Sequence, residues 1–282
     1  MLRTSRSIPW LYLTPAILIL LLILVYPSLF TICLSFLGKR SEAYVGLKNY
    51  LYVFTSEEML LAFRNNALWL LFFTLFSVGL GLIVAALLDR VPYEPLVKTI
   101  VFLPMAISMV GAGVIWRFIY AYKPPGVPQI GLLNALLDLF GDQTVGWLII
   151  RPWNNFFIIM VGVWIWTGFC MVILSAAYKN IPKELIESAR LEGASEWQIF
   201  WKISLPLLRP TLAVLTTTLI VFVLKVFDLV YIMTNGNFDT EVIANHMYKM
   251  LQYPDFGRAS AIAVILFILI LPVMIINVRR TR

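Results

Sequence analysis

The sequence is short of charge. Asp, Glu, Lys and Arg make up 13% of its 282 residues, about half of the roughly 25% that a water-facing surface carries. Hydrophobic residues make up 61%, so most of the chain is built for a bilayer. Other shortages narrow the chemistry. The two cysteines, Cys33 and Cys170, fall within or at the edge of apolar runs and read as small buried hydrophobes, not as a disulfide or a metal pair. The single histidine, His246, reads as an ordinary loop residue. Paired carboxylates, metal clusters and nucleophile triads are missing from any shared face, which argues against an enzyme. There is no G-x-x-x-x-G-K-[ST] loop to hold phosphates, so any ATP has to be hydrolysed by another subunit.

What is present is a series of long uncharged runs: 32 residues between Arg6 and Lys39, 24 between Arg64 and Asp89, 18 between Lys98 and Arg117, 27 between Arg151 and Lys179, and 20 between Arg258 and Arg279. Each supplies the roughly 18 to 20 apolar residues of a spanning helix. A sixth run, Pro210 to Met233, is broken only by Lys225 and Asp228. Continuous apolar runs exclude the alternating pattern of barrel strands, and hydrocarbon leaves helices as the other option. The expected fold is all-α: a single polytopic domain over 1–282, with six transmembrane helices at about 10–36, 66–88, 99–120, 155–178, 210–233 and 259–278. The first run is too long for a secretory signal and no small-residue cleavage site follows it, so it is expected to be retained.

Six spans put both termini on one side. Segments 1–9, 90–98, 179–209 and 279–282 hold twelve Lys and Arg: Arg3, Arg6, Arg90, Lys98, Lys179, Lys183, Arg190, Lys202, Arg209, Arg279, Arg280 and Arg282. The opposite loops, 39–64, 117–151 and 234–258, are longer in total and hold nine. The positive-inside rule places the termini and the 179–209 loop in the cytoplasm. This asymmetry explains the net charge of +7 without nucleic acid as a partner. On the other side, Lys123 to Asp142 begins with turn residues and continues as a short amphipathic helix through Leu132, Leu133, Leu136 and Leu137, expected to lie on the membrane face or dock on another protein. No internal repeat divides the chain into matched halves, which weakens the case for a self-contained secondary transporter.

The charged loop opens KNIPKELIESARLEGASEWQ. Pro182 suits a first helical position, and Glu184 and Glu187 favour the positive end of the helix dipole. Leu185, Ile186 and Ala189 cluster on one face of that helix, and Lys183, Glu187 and Arg190 on another. Gly193 suits a helix end. Ser195 and Gln198 then form a capping-box pattern that starts a second, apolar helix, which Pro206 is expected to interrupt. Periodicity alone leaves open whether this element docks a partner or simply caps the bundle.

Glu187-Ser188-Ala189, three residues, Gly193, nine residues, then Ile203-x-Leu205-Pro206 resembles the EAA motif of membrane subunits in binding-protein-dependent ABC importers, with Ser188 in place of the usual Ala. YVGLKNY (44–50), FLPMAIS (102–108), GLLNALL (131–137), VFDLVYIMT (226–234) and DFGRASAIAVILF (255–267) resemble the carbohydrate-uptake branch, the maltose-type and α-glucoside-type permeases. The resemblance implies a multi-pass inner-membrane permease that pairs with a second, homologous permease, two cytoplasmic ATPase subunits and an extracytoplasmic solute-binding protein, with membrane lipid around it. ATP and Mg are then held by the ATPase, and the chain itself carries no cofactor. The loop becomes a coupling helix: Glu187 pairs with a basic residue of the ATPase, Gly193 makes the turn, and Leu205-Pro206 rejoin the bundle.

For the cargo path, Lys225 and Asp228 lie one helical turn apart on one face and are able to pair, although both are near enough to the outer interface to snorkel. The positions corresponding to sugar contacts in maltose-type permeases include Ile165, Trp166 and Phe169, then Leu219, Val223 and Val226. Their apolar character departs from a hydrogen-bonding pattern. Trp164, Trp166 and Phe169 remain suited to stacking on sugar rings, or to plain packing. The expected function is therefore a permease subunit of an ATP-driven carbohydrate importer, for an oligosaccharide or α-glucoside-like cargo. The alternatives are an ion-coupled secondary transporter centred on Lys225 and Asp228, and a membrane scaffold that moves nothing.

Overall fold

The computed structural model describes residues 8–88, 91–124, 126–141 and 143–280. Arg3, Arg6, Arg90, Asp142 and Arg282 lie outside the described residues, and the side chains of Arg279 and Arg280 are not described. The described residues form helices: α1 (Tyr12–Leu34), α2 (Lys48–Thr55), α3 (Glu57–Leu88), α4 (Glu94–Phe102), α5 (Met109–Ile119), α6 (Leu132–Leu139), α7 (Trp153–Lys179), α8 (Lys183–Leu191), α9 (Glu196–Leu224), α10 (Asp228–Met233), α11 (Ile243–Gln252) and α12 (Phe256–Arg280). Five are long and apolar enough to cross a membrane, or six crossings if α4 and α5 count together.

The third span differs from the single helix expected over 99–120: α4 and α5 meet at 97°. Pro104 has no amide to donate, the backbone tightens to a 3₁₀ turn over Leu103–Ala106, and Ile107 is extended. Ser108 then caps α5, its Oγ accepting from the Gly111 amide at 3.0 Å. The fifth span also differs from 210–233. Its helix is already under way at Glu196, runs through Pro206, and ends at Leu224. One wide turn over Phe200–Ser204 precedes Pro206, and such a turn absorbs the hydrogen bond a proline cannot make. The second span starts earlier than 66, at Glu57, where Ser56 accepts from the Met59 amide.

The centre of the molecule is α7, buried along most of its length and packed against α3, α4 and α9. Small residues permit the approach. A Cβ on Gly81 of α3 would stand 2.6 Å from Cys170 Cβ and 2.9 Å from the Met171 amide, and a Cβ on Gly168 would meet the Val101 carbonyl and the Phe102 Cα of α4. Close backbones suit helix packing in lipid, where van der Waals contact replaces the hydrophobic effect. Trp69, Phe73, Ile158, Ile165, Leu215, Leu219 and Val223 fill the resulting core. By contrast α1 has no buried residue in its apolar window. The short helix α6 docks on its own chain: Asn134 is buried and donates to the Ala121 and Val145 carbonyls at 2.9 Å, Leu133 packs on the core, and Leu132 and Leu136 stay exposed.

Candidate coupling loop and transport path

The segment joining α7 to α9 is short and held at every step. α8 ends at Leu191, and Gly193 takes φ +85°. The Gly193 amide donates to the Arg190 carbonyl at 3.0 Å and the Ala194 amide to the Ala189 carbonyl at 2.9 Å. This pair of bonds closes a helix end around a left-handed residue, a conformation that costs glycine little. The capping box is complete: Ser195 Oγ accepts from the Gln198 amide at 3.3 Å, and Gln198 Oε1 accepts from the Ser195 amide at 2.9 Å. Across the turn Arg190 Nε donates to Glu196 Oε1 at 2.8 Å, and the Glu196 carboxylate pushes the guanidinium's pKa up.

The expected faces of α8 separate. Ile186 packs half-buried against Tyr178, Ile181 and Leu208, and Ala189 is half-buried, while Leu185 is mostly out. Glu187 and Ser188 are exposed. Leu191, at 90% exposed, and Trp197, at 70%, present apolar surface that the chain itself leaves uncovered. Ile203, Leu205 and Pro206 are half-buried where α9 enters the bundle. A hollow of about 450 Å³ lies between α8 and the start of α9, lined by Ala189, Gly193, Lys202 and Ile203 among others. Beside the loop, Glu94 of α4 bonds both Lys98 at 2.5 Å and Lys179 at 2.7 Å, tying the bent span to the last turn of α7.

The aromatic path residues Trp164, Trp166 and Phe169 come together, each half-buried. The Trp166 ring lies 4.6 Å from Phe222, tilted, and 5.5 Å from Phe169, edge-on (ring centroids), and Trp164 lies 5.5 Å from Trp116. The Trp166 Nε1 is buried without a hydrogen-bond partner. Ile165, Leu219, Val223 and Val226 are buried in the core. Lys225 and Asp228 do not form the pair that their spacing allows. The helix ends at Leu224, Phe227 leaves helical geometry at φ −144°, and Asp228 starts a separate helix, so the two no longer share a helical face. Lys225 instead lines a groove with Met247, Tyr248 and Phe267.

At the end of the bundle away from the loop, the structure shows a polar cluster that sequence reasoning passed over. Asn65 donates to the Asp239 and Glu241 carbonyls at 2.8 and 2.7 Å, Asn66 to the Val223 carbonyl at 3.1 Å, Asn154 to the Phe238 carbonyl at 2.7 Å, and Asn155 to that of Asp239 at 3.1 Å. Three buried amides, those of Asn65, Asn154 and Asn155, thus pin residues 238–241 against α3 and the head of α7, while Asn66 ties α3 to the end of α9. Glu241 is buried and receives Lys249 Nζ at 2.6 Å and Asn245 Nδ2 at 2.5 Å, with His246 Nδ1 3.9 Å away. Burial raises its pKa, but His246, Lys249 and Asn245 outweigh burial and hold the carboxyl below its ordinary value. His246 is not a loop residue: it is buried in α11, with Nε2 2.8 Å from the Tyr52 hydroxyl. The available signal was two Asn-Asn pairs, each at the head of an apolar run.

Residues 77–279, which hold the whole loop and its flanking spans, match the family described as binding-protein-dependent transport system inner membrane component. The chain belongs to that family. This permease is 58% identical over 271 residues to the osmoprotective compounds uptake permease protein GgtC of Synechocystis sp., covering 96% of this chain and 97% of that one. It is 48% identical over 281 residues to the alpha-glucoside transport system permease protein AglF of Rhizobium meliloti, covering 99% and 84%. In three dimensions the permease matches a chain of a bacterial ABC transporter involved in the import of the acidic polysaccharide alginate, with a TM-score of 0.83, 26% identity, and coverage of 98% and 96%.

Proposed function

We infer that this permease carries a carbohydrate or glycoside inward as one subunit of an ATP-driven importer. An α-glucoside or a sugar-based osmoprotectant is the cargo class that agrees with the similarity to the two relatives across their length. The observation that carries the coupling role is the 183–198 loop. Its end-cap, capping box and Arg190–Glu196 bridge make a stiff lever between two spans, with Leu191 and Trp197 exposed for a partner. A flexible linker would absorb motion; this one passes it on.

In this reading the loop and both termini are cytoplasmic. A homologous permease completes the path, two ATPase subunits hold ATP and Mg and seat Glu187 and its neighbours, and a solute-binding protein delivers cargo from outside. Closing of the ATPases moves the loop and opens the path outward, and hydrolysis resets it. The ion-coupled alternative is weakened because its Lys225–Asp228 pair is not made. The test is uptake and ATP hydrolysis by the assembled transporter in vesicles. Glu187→Ala is expected to leave the protein in the membrane and to lower transport per ATP. Unchanged uptake by the variant, or uptake by this chain alone on an ion gradient, sinks the proposal. Ligand-induced stabilisation of the binding protein across mono-, di- and glycosyl-polyol ligands then identifies the cargo.

A further inference from the structure

Lys225 caps the end of α9 and is exposed, and its ammonium has no hydrogen-bond or ion-pair partner among the described residues. Its depth follows from the helix. Leu205–Leu224 is 20 residues, about 30 Å at 1.5 Å per residue, which is the thickness of the hydrocarbon core. Arg209 marks the cytoplasmic end, however, so the apolar stretch begins at Pro210, and Lys225, 15 residues or about 22 Å further on, stands in the outer half of the hydrocarbon, opposite the coupling loop. Beside it Phe227, Tyr231 and Tyr248 form a ring cluster with centroids 5.1 to 5.4 Å apart, the residue types that gather at headgroup level.

From this cation an apolar groove of about 450 Å³ runs between α11 and α12, walled by Phe227, Met247, Tyr248, Leu266 and Phe267. The same face of α12 continues apolar beyond it through Ile270 to Met274, which is exposed. We propose that the groove holds one anionic phospholipid of the surrounding bilayer, its phosphate on Lys225 and an acyl chain along α12. A charge within the apolar span calls for a counter-charge within its reach. Among the described residues none pairs with it, because the break after Leu224 puts Asp228 on another helix. A sugar fits poorly, since Tyr248 is the single hydroxyl-bearing residue in the lining.

The test uses the full chain, exchanged into nanodiscs of equal parts phosphatidylglycerol and phosphatidylcholine, re-extracted gently, with retained lipid weighed by native mass spectrometry. Wild type is expected to retain phosphatidylglycerol about fivefold over phosphatidylcholine, the preference that one lysine near an anionic headgroup confers. Lys225→Gln should bring the ratio to near one, and Lys225→Arg should keep it. Ala263→Trp, which fills the groove and leaves the lysine, should lower total retained lipid. Lys123→Gln, in a loop at the same end, should change nothing. An undiminished ratio in Lys225→Gln overturns the proposal. So does quantitative cross-linking of Lys225→Cys to the second permease in the assembled complex, which would make the occupant a protein carboxylate. If Ala263→Trp fails to fold, the comparison of Lys225→Gln with Lys225→Arg decides.

Discussion

Arg190 reaches across the Gly193 turn to Glu196, with Nε 2.8 Å from Oε1, so the two helices of the loop are joined by an ion pair as well as by backbone. At a solvent-facing site such a pair contributes little stability. Its consequence is stiffness, which a lever needs and a fold does not.

The turn itself gives the first prediction. Nothing lies within 4 Å of a Cβ built on Gly193, so the cost of Gly193→Ala is backbone strain alone, about 1–2 kcal/mol. Gly193→Pro is worse, because φ +85° is closed to proline and the amide bonded to Arg190 is lost. Transport per ATP in reconstituted vesicles should fall in the order Asn, Ala, Pro at this position. Equal coupling in all three would remove the turn from the mechanism.

Gly81 and Gly79 sit two residues apart on α3 and should respond in opposite ways. A Cβ at Gly81 strikes the backbone of α7, whereas one at Gly79 meets nothing within 4 Å. Gly81→Val is expected to destabilise by about 1–3 kcal/mol through overpacking. Gly79→Ala should be neutral or stabilising by about 0.5–1 kcal/mol, since alanine loses less backbone freedom in a helix. Melting temperature of the detergent-solubilised protein checks both.

Glu241 predicts an acid limb in stability. Its folded pKa is depressed, so its stabilisation is complete above the carboxyl's unfolded value of about 4.3. That stabilisation is lost as pH falls through the folded value below it. Thermal unfolding followed from pH 7 to pH 3 should show wild type losing stability more steeply below about pH 4.3 than Glu241→Gln. At pH 7 the variant should be less stable by about 1–3 kcal/mol, because a buried charged hydrogen bond to Lys249 is gone. Parallel curves would show that the carboxylate contributes nothing there.

Trp166 separates packing from cargo contact. Its Nε1 has no partner to lose, so Trp166→Phe should cost only the packing of the larger ring, about 1 kcal/mol. If the indole N–H meets cargo when the path opens, uptake KM should rise severalfold beside that small loss of stability. A loss of stability with unchanged KM would make Trp166 a core residue only.

Much of this protein was legible in order of residues. A spanning helix needs length and apolarity, both local properties, so the apolar runs could be found by counting charges. The loop was legible for the same reason: Gly193, Ser195 and Gln198 act on amides within a few residues of themselves. Where the reading and the structure part, the cause is distant or depends on backbone direction. Pro206 looked like an interruption, but a wide turn over Phe200–Ser204 carries the helix past it. Pro104 lay inside an apolar run that reads as one helix and bends by 97°.

The sequence by itself determined the solvent, the helical class and the stiff loop, because hydropathy and capping are satisfied by neighbours in the chain. Only the tertiary structure decided that Lys225 and Asp228 part company and that His246 sits buried on Tyr52. It also decided that Asn65, Asn154 and Asn155 close over residues 238–241 and that Asn66 bonds Val223. Those contacts join residues as far as 194 positions apart, and a buried polar group takes whichever partner the packing of distant helices brings to it.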